Sequence, residues 1–286
     1  MPSARDFQRQ INTVKNQARV FSALQTVSSV KFRKAEARVR RARPYAENVE
    51  QMMRDVAANA TGDLPLLTGR EVRHVAVCTL TADRGLAGGF NAQVLRRTVS
   101  LREEKDPGAL QVASGRKGVA FFRFRRVELA EVFTGFTDNP TYENAQEIGR
   151  ALTRLFDDEE ADEVYLVYNR FESVLNQRPV VKQLLPVAHE EDDEEERNTS
   201  YMDYVPDAET VLKRLVPRYV ETMVWQALLE GAAGEHGARM TAMKNATDNA
   251  NDLVRDLTLQ MNKARQAQIT QEILEIVGGA EALSAG

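Results

Sequence analysis

The residue types that most often perform catalysis or bind metals are sparse and scattered in this sequence. The only cysteine is Cys78, and the only histidines are His74, His189 and His236. A lone thiol provides neither a disulfide nor the thiolate cluster of a zinc site. No carboxylate stands in a spacing that specifies general acid–base chemistry with a histidine. The sequence therefore predicts no catalytic, cofactor-binding or metal-binding residue, and no cofactor.

A glycine-rich loop, DRGLAGGFN, spans Asp83 to Asn91 between a predicted strand and a predicted helix. In that context glycines can cradle a phosphate at a helix N-terminus. The spacing of Gly85, Gly88 and Gly89 is G-x-x-G-G, which matches neither the dinucleotide-binding fingerprint nor a P-loop. The pattern favours a structural tight turn. The alternative, a nucleotide loop of a Rossmann-type enzyme, predicts nucleotide binding by the isolated chain.

Two charged runs stand out in a chain whose net charge is −4. Seven cations lie close together near the N-terminus: Lys31, Arg33, Lys34, Arg38, Arg40, Arg41 and Arg43. Because Pro44 follows where a zipper would begin, a solvated or partner-facing basic face is favoured over a bZIP-like DNA-binding region. Consecutive acidic residues at 190–196 repel one another and predict a surface loop. The net charge also argues against a nucleic acid partner.

Both ends of the sequence carry long helical stripes of apolar and small side chains. The N-terminal stripe steps by four and three: Phe7, Ile11, Val14, Ala18, Phe21 and Leu24. The C-terminal stripe keeps a heptad spacing: Met240, Met243, Thr247, Ala250, Val254, Leu257, Met261, Ala264 and Gln268. A seam this rich in small and polar residues favours a nonidentical partner helix. We expect the two ends to pair as an antiparallel coiled coil, and two helices that cross a bundle remain the alternative.

The middle of the chain has an alternating strand and helix pattern. Predicted strands are 74–80, 118–122, 163–169 and 179–187, and predicted helices are 91–102 and 142–156. The fold class is therefore α/β, with a long antiparallel coiled coil of N- and C-terminal helices plus a central open, Rossmann-like α/β domain. The expected domains are an N-terminal coiled-coil helix at 1–60, the α/β domain at 70–188, an acidic surface loop at 189–205 and a C-terminal coiled-coil helix at 207–286. No apolar run approaches the ~20 residues of a membrane span.

Four segments of the sequence resemble those of a known family, and they occur in the same order along the chain as in that family. They are INTVKNQARVFSALQTVSSVKFRKAEARVRRARPYAE at 11–47, DRGLAGGFN at 83–91, QRPVVKQLLP at 177–186 and ARMTAMKNATDNANDLVRDLTLQMNKARQAQITQEILEIVGGAEAL at 238–283. Together they resemble the gamma subunit of the rotary F-type ATP synthase. The last segment is the most specific, because it is long and irregular.

The resemblance implies a non-catalytic rotor subunit of the central stalk in a membrane-associated complex that carries out ATP synthesis and hydrogen ion transport. Its rotation imposes successive conformations on the catalytic sites of a surrounding hexamer. The implied partners are the alpha and beta subunits of that hexamer, the epsilon subunit and the membrane c-ring. The implied location is the cytoplasmic face of a bacterial inner membrane. The alternative function is a coiled-coil scaffold without a motor role.

The resemblance also implies roles for particular residues. The positions that match the family's contacts with catalytic subunits are Leu24, Lys31, Arg265, Gln266 and Thr270. The positions that match an apolar bearing inside a sleeve of the hexamer are Ile269, Ile273, Ile276 and Val277. Tyr204 matches the contact with the membrane ring, although Val205 stands where an acidic residue is common. Pro217 departs from the expected C-terminal helix, and predicts that the helix begins after it or kinks there.

Overall fold

The computed structural model describes residues 3–59, 67, 69–174, 176–187 and 208–284. Its described helices are α1 (Ala4–Asn59), α2 (Phe90–Lys105), α3 (Arg116–Phe124), α4 (Tyr142–Asp157) and α5 (Ala208–Ser284). Its described strands are β1 (Val75–Leu80), β2 (Leu110–Ser114), β3 (Leu129–Phe133), β4 (Glu163–Phe171) and β5 (Gln177–Leu185). Long terminal helices with a mixed sheet between them confirm the predicted fold class.

The described residues form two compact units. One unit contains the chain ends, Met1–Val27 and Met240–Gly286, and the other contains Ser28–Arg239. In the unit of the chain ends, the most buried apolar side chains fall seven residues apart: Ile11 and Ala18 in α1, and Met243, Ala250 and Leu257 in α5. This spacing is the heptad seam that the sequence predicts.

A capping box begins α1. The Ser3 N–H donates to Asp6 Oδ2 at 3.0 Å, and the Asp6 N–H donates to Ser3 Oγ at 3.3 Å. Because the first amides of a helix have no partner within it, these two hydrogen bonds satisfy otherwise orphaned donors. The N-terminal helix therefore has a defined start.

The second unit is built on a sheet with the strand order β3-β2-β1-β4-β5. The pairs β1–β2, β2–β3 and β1–β4 are parallel, and β4–β5 is antiparallel. β1 lies at the centre, and every one of its side chains is buried. A strand buried on both faces reads as a continuous apolar run, which is why β1 is recognisable in the sequence.

Alternate residues of β1 supply two different cores. Val75 and Val77 pack with Val94 and Leu101 of α2 on one face of the sheet. Ala76, Cys78 and Leu80 face the larger core on the other side, which contains side chains of α4, of α1 and of α5. This period of two follows from the pleat of the strand. Cys78 is fully buried in the larger core, and its burial raises the pKa of the thiol to about 12.

The predicted strand at 118–122 is wrong, because these residues lie within helix α3. Gly118, Val119 and Phe122 are the buried residues of this helix, and they share one helical face. Gly115 begins the turn with a φ of 91°, and an added Cβ would lie 2.1 Å from the Thr81 carbonyl oxygen. A backbone that only glycine tolerates here therefore ends β2 and starts α3.

Of the two alternatives that Pro217 predicts, a later start of the C-terminal helix is wrong. α5 begins at Ala208 and runs through the proline. An interior proline costs about 3 kcal/mol through a lost hydrogen bond and a clash with the preceding turn. Val216 and Val220 are fully buried on either side of it. Burial of side chains that size stabilises by about 1.5–3 kcal/mol each, which offsets the cost.

Candidate functional site

The C-terminal part of α5 exposes large apolar side chains to solvent. Ile269 is 48% exposed, Ile273 54%, Leu274 66%, Ile276 71% and Val277 55%. All five lie within nine residues of one helix, in the unit that contains the chain ends. Single exposed apolar residues are ordinary, whereas a contiguous group marks an interaction surface. These residues include the four positions expected to form an apolar bearing.

The polar residues expected to contact a catalytic subunit lie beside this apolar group. Arg265, Gln266 and Thr270 are exposed, and the Thr270 hydroxyl donates to the Gln266 carbonyl oxygen at 3.0 Å. Arg265 forms no ion pair with any carboxylate in the part of the chain that the structure describes. The neighbouring surface is helical and regular, so the three side chains project from consecutive turns of α5.

The other expected contact residues have different surroundings. Leu24 is half-buried in the unit of the chain ends. Lys31 lies in the second unit, where its ammonium group donates to Asp138 Oδ2. Tyr204, expected to contact a membrane ring, lies outside the described residues, and so does the acidic run at 190–196.

Asp138 belongs to a buried charged cluster that the sequence did not indicate. His236 Nε2 lies 3.1 Å from the Asp138 carbonyl oxygen, and the Arg239 guanidinium donates to Glu235 Oε1 at 2.5 Å. Burial raises the pKa of Glu235, although Arg239 opposes this, and burial lowers the pKa of His236. The cluster joins α1, the loop after β3 and α5 within one unit.

Asp138 itself has a lowered pKa. Burial alone would raise the pKa of its carboxyl group, but the hydrogen bond from Lys31 and the nearby charge of His236 outweigh that effect. Asp138 is therefore ionised at neutral pH, and its charge lies between residues of both long helices. No signal in the sequence could have found it, because 107 residues separate Lys31 from Asp138.

The glycine-rich loop forms a turn in which Leu86 and Gly88 have positive φ angles of 63° and 55°. Asp83 accepts hydrogen bonds from the backbone N–H groups of Arg116, Gly135 and Thr137 at 3.0, 2.8 and 3.1 Å. These amides follow β2 and β3, at the edge of the sheet where doubly wound proteins bind nucleotide phosphates. Here a carboxylate of the chain itself occupies them, as expected for a structural turn.

The described residues contain no group of three or more histidine, cysteine or acidic side chains arranged to hold a metal ion. Among the same residues, no helix combines the length and apolar character that crossing a membrane requires.

The fold defines a class of protein in which an α/β domain lies, along the sequence, between two long helices. A family model described as ATP synthase matches residues 3–283. The ATP synthase gamma chain of Rubrobacter xylanophilus is 69% identical over 290 residues, covering 100% of both chains. That of Pelotomaculum thermopropionicum is 45% identical over 284 residues, covering 99% of this chain and 100% of the relative. The chain therefore belongs to the ATP synthase family, as one of its gamma chains.

Solved structures share the same fold. The chain resembles one from the Euglena gracilis mitochondrial ATP synthase, with a TM-score of 0.72, 19% identity and coverage of 99% of this chain and 95% of that one. A chain from the central stalk and c-ring structure of the Tetrahymena thermophila mitochondrial ATP synthase gives a TM-score of 0.61 at 21% identity, covering 79% of this chain and 99% of that one. As a gamma chain, this protein is a non-catalytic rotor subunit of the central stalk in a membrane-associated complex.

Proposed function

We propose that the exposed C-terminal part of α5 is the surface through which this rotor subunit acts on the alpha and beta subunits of the catalytic hexamer. The observation that carries the proposal is the contiguous apolar group from Ile269 to Val277, exposed next to Arg265 and Gln266. An apolar surface on a rotating helix slides in a sleeve without bonds that must break at each step. Polar residues beside it supply the specific contacts.

Within that surface, the proposal assigns separate roles. Ile269, Ile273, Ile276 and Val277 form the bearing. Arg265, Gln266 and Thr270 hold a loop of one catalytic subunit. A guanidinium group carries five donors in a fixed plane and binds carboxylates or carbonyl oxygens in pairs. Because Arg265 has no ion pair within the described residues, its donors are available to such a loop.

Leu24 and Lys31 are proposed as further contacts of a catalytic subunit. Lys31 is not free for such a contact, because its ammonium group already donates to Asp138 Oδ2. An acidic segment of a catalytic subunit would compete with Asp138 for this lysine. The contact would therefore be exchangeable, as a transient step of rotation requires.

The remaining partners are proposed from the family. They are the epsilon subunit and the membrane c-ring, with Tyr204 as the ring-side contact, at the cytoplasmic face of a bacterial inner membrane. We propose the same domain limits as the sequence predicts, with 1–60 and 207–286 as the coiled-coil helices, 70–188 as the α/β domain and 189–205 as the acidic surface loop.

Replacement of Arg265 and Gln266 together by alanine tests the proposed contact of these residues with a loop of a catalytic subunit. We expect the subunit to fold and the ATP turnover of the reconstituted complex, or its assembly yield, to fall about tenfold. Two lost hydrogen-bonding side chains, one of them charged, correspond to about 1.4 kcal/mol or more. The matched control replaces Arg255 and Gln260, which are also exposed on α5, by alanine.

The control should retain turnover and yield within a factor of two, because an exposed ion pair such as Arg255–Asp252 contributes little. Equal turnover and yield for both double variants would contradict the proposed contact of Arg265 and Gln266 with a loop of a catalytic subunit. The family membership does not depend on this result.

A further inference from the structure

Helix α3 and the residues that flank it form a short basic segment of the second unit. Between residues 115 and 127 there are five cations and no acidic residue: Arg116, Lys117, Arg123, Arg125 and Arg126. The whole chain has a net charge of −4, so this concentration is local. Like charges this close repel one another, and this repulsion lowers the stability of the folded protein unless an anionic group approaches them.

Three cations around the groove between α2 and α3 have no carboxylate partner among the residues that the structure describes. They are Arg96, Lys117 and Arg125. Arg96 bonds only to the Ala92 carbonyl oxygen, and Arg125 lies over the Phe121 ring at 4.8 Å. The adjacent Arg97, in contrast, is paired with Glu104 at 3.1 Å.

The basic run at 31–43, which is more conspicuous in the sequence, is largely used within the chain. Lys31 pairs with Asp138, Arg40 with Glu36 and Arg43 with Glu230. Arg38 donates to the side chain of Asn139 and stacks over the ring of Trp225. The other three cations of that run, Arg33, Lys34 and Arg41, are exposed on α1. The unpaired cations of α2 and α3, in addition to being unpaired, line a groove.

These cations surround a groove of about 470 Å³ between α2 and α3. Its apolar walls are Leu95 and Val99 of α2 and Phe121 of α3, and Arg96, Lys117 and Arg125 also line it. The volume falls within the range of specific binding pockets, and the combination of apolar walls with a few polar groups is typical of them. The groove can accommodate a bulky apolar side chain with anionic groups on both sides.

Phe124 extends this surface outside the groove. It is 88% exposed, the largest exposed fraction among the large apolar side chains of the described residues. Lys117, Phe121 and Phe124 are spaced by four and three, so they share one face of α3. A small anion in the groove would leave Phe124 in water. A partner large enough to cover both the groove and Phe124 accounts for the whole face, and aromatic and arginine side chains dominate binding energy in such interfaces.

We propose that the face formed by Lys117, Phe121, Phe124 and Arg125 of α3, with Leu95, Arg96 and Val99 of α2, docks an acidic amphipathic helix of a partner polypeptide. The partner inserts one large apolar side chain between α2 and α3 and places carboxylates against the three unpaired cations. The concave shape of the groove favours a polypeptide over a lipid surface, because a flat anionic membrane would meet the three unpaired cations without filling the groove.

The experiment places the photo-crosslinking residue p-benzoylphenylalanine at position 124 of the full chain, in cells whose ATP synthase contains it. Crosslinked products are identified by mass spectrometry. A second chain adds Arg96→Ala, Lys117→Ala and Arg125→Ala. A matched control instead adds Arg33→Ala, Lys34→Ala and Arg41→Ala, which remove the same charge from exposed positions of α1.

We expect a polypeptide crosslink whose attached segment is acidic and amphipathic. Its yield should fall about tenfold with the α2–α3 substitutions and change by less than twofold in the control, because rim charges act over short range in salt. Crosslinks to lipid or nucleic acid only, no crosslink at all, or equal yields in the two triple variants would each overturn the proposal.

Discussion

Asp162 is the carboxylate that fixes how the chain enters the sheet. It precedes β4, and it accepts hydrogen bonds from the Arg70 side chain and from the backbone N–H groups of Arg73 and His74, the latter two at 2.9 Å each. Burial alone would raise the pKa of Asp162, but these donors lower it to about 2. The segment before β1 is thereby tied to the start of β4.

Replacement of Asp162 by asparagine should lower the free energy of unfolding by about 2 kcal/mol at pH 7, because it removes charge-assisted hydrogen bonds. The folded-state pKa is below the ordinary 3.8, so this stabilisation is present above pH 4 and is lost as the pH falls toward 2. Urea unfolding of both proteins between pH 7 and pH 2 measures it.

The control for this variant is Asp158→Asn, an exposed aspartate in the turn after α4. It should change the free energy of unfolding by less than about 0.5 kcal/mol. The assigned role of the carboxylate would be contradicted if the difference in the free energy of unfolding between Asp162→Asn and the original protein stayed constant from pH 7 to pH 2.

Pairs of interacting residues that lie far apart in the sequence could not be predicted from the sequence. The sequence marks Lys31 as part of a basic run, yet nothing in it identifies Asp138 as the partner. Asp83 lies in a recognisable turn, but the three amides that it binds follow two later strands. The sequence predicts residue types and local geometry here, whereas the tertiary fold determines the partners.

The sequence predicts the long or central helices and strands of the second unit, but it does not predict the short ones. β1, β4, α2 and α4 lie within a few residues of their predicted limits. β2 and β3 were missed, because strands of five residues give too little period-two signal. The apolar sequence GVAFF was mistaken for a strand because a buried face of a nine-residue helix also gives a short apolar run.

That error also concealed the basic surface of α3. Read as a strand, residues 118–122 alternate between two faces, and the cations that flank them have no common face. Read as a helix, Lys117, Phe121 and Phe124 are adjacent on the surface. The proposed docking site could therefore not be derived before the structure of this element was known.

The paired helices of the chain ends should be marginal alone and stabilise each other. Peptides of residues 1–27 and 240–286 should each show low helicity, and mixing them should increase helicity measured by circular dichroism. The seam buries small residues such as Ala18 and Ala250, so it contributes less than a leucine-rich seam at ~25 cal/mol per Å².

Ala250→Glu places a charge in that seam and should abolish the gain in helicity. Asn251→Glu adds the same charge at an exposed position and should preserve it. If mixing the original peptides gives no gain in helicity, the mutual stabilisation of the two ends is wrong.

The acidic run at 190–196 should be dispensable for folding. Its seven carboxylates repel one another, so deletion should change the free energy of unfolding by less than about 1 kcal/mol. Denaturant titration of the full chain and of the deleted chain measures this. A larger loss of stability, or failure of the deleted chain to assemble, would instead identify the run as a docking element.

The large core on one face of the sheet has a consequence for synthesis. It combines Val49, Met53 and Val56 of α1 with Val220 and Val224 of α5. About 160 residues separate Val56 from Val220, and ribosomes add ~5–20 residues per second, so roughly 10–30 s pass before the second helix emerges. Throughout that interval the apolar side of α1 lacks its final cover, so the nascent chain must be shielded from aggregation until its last quarter has been translated.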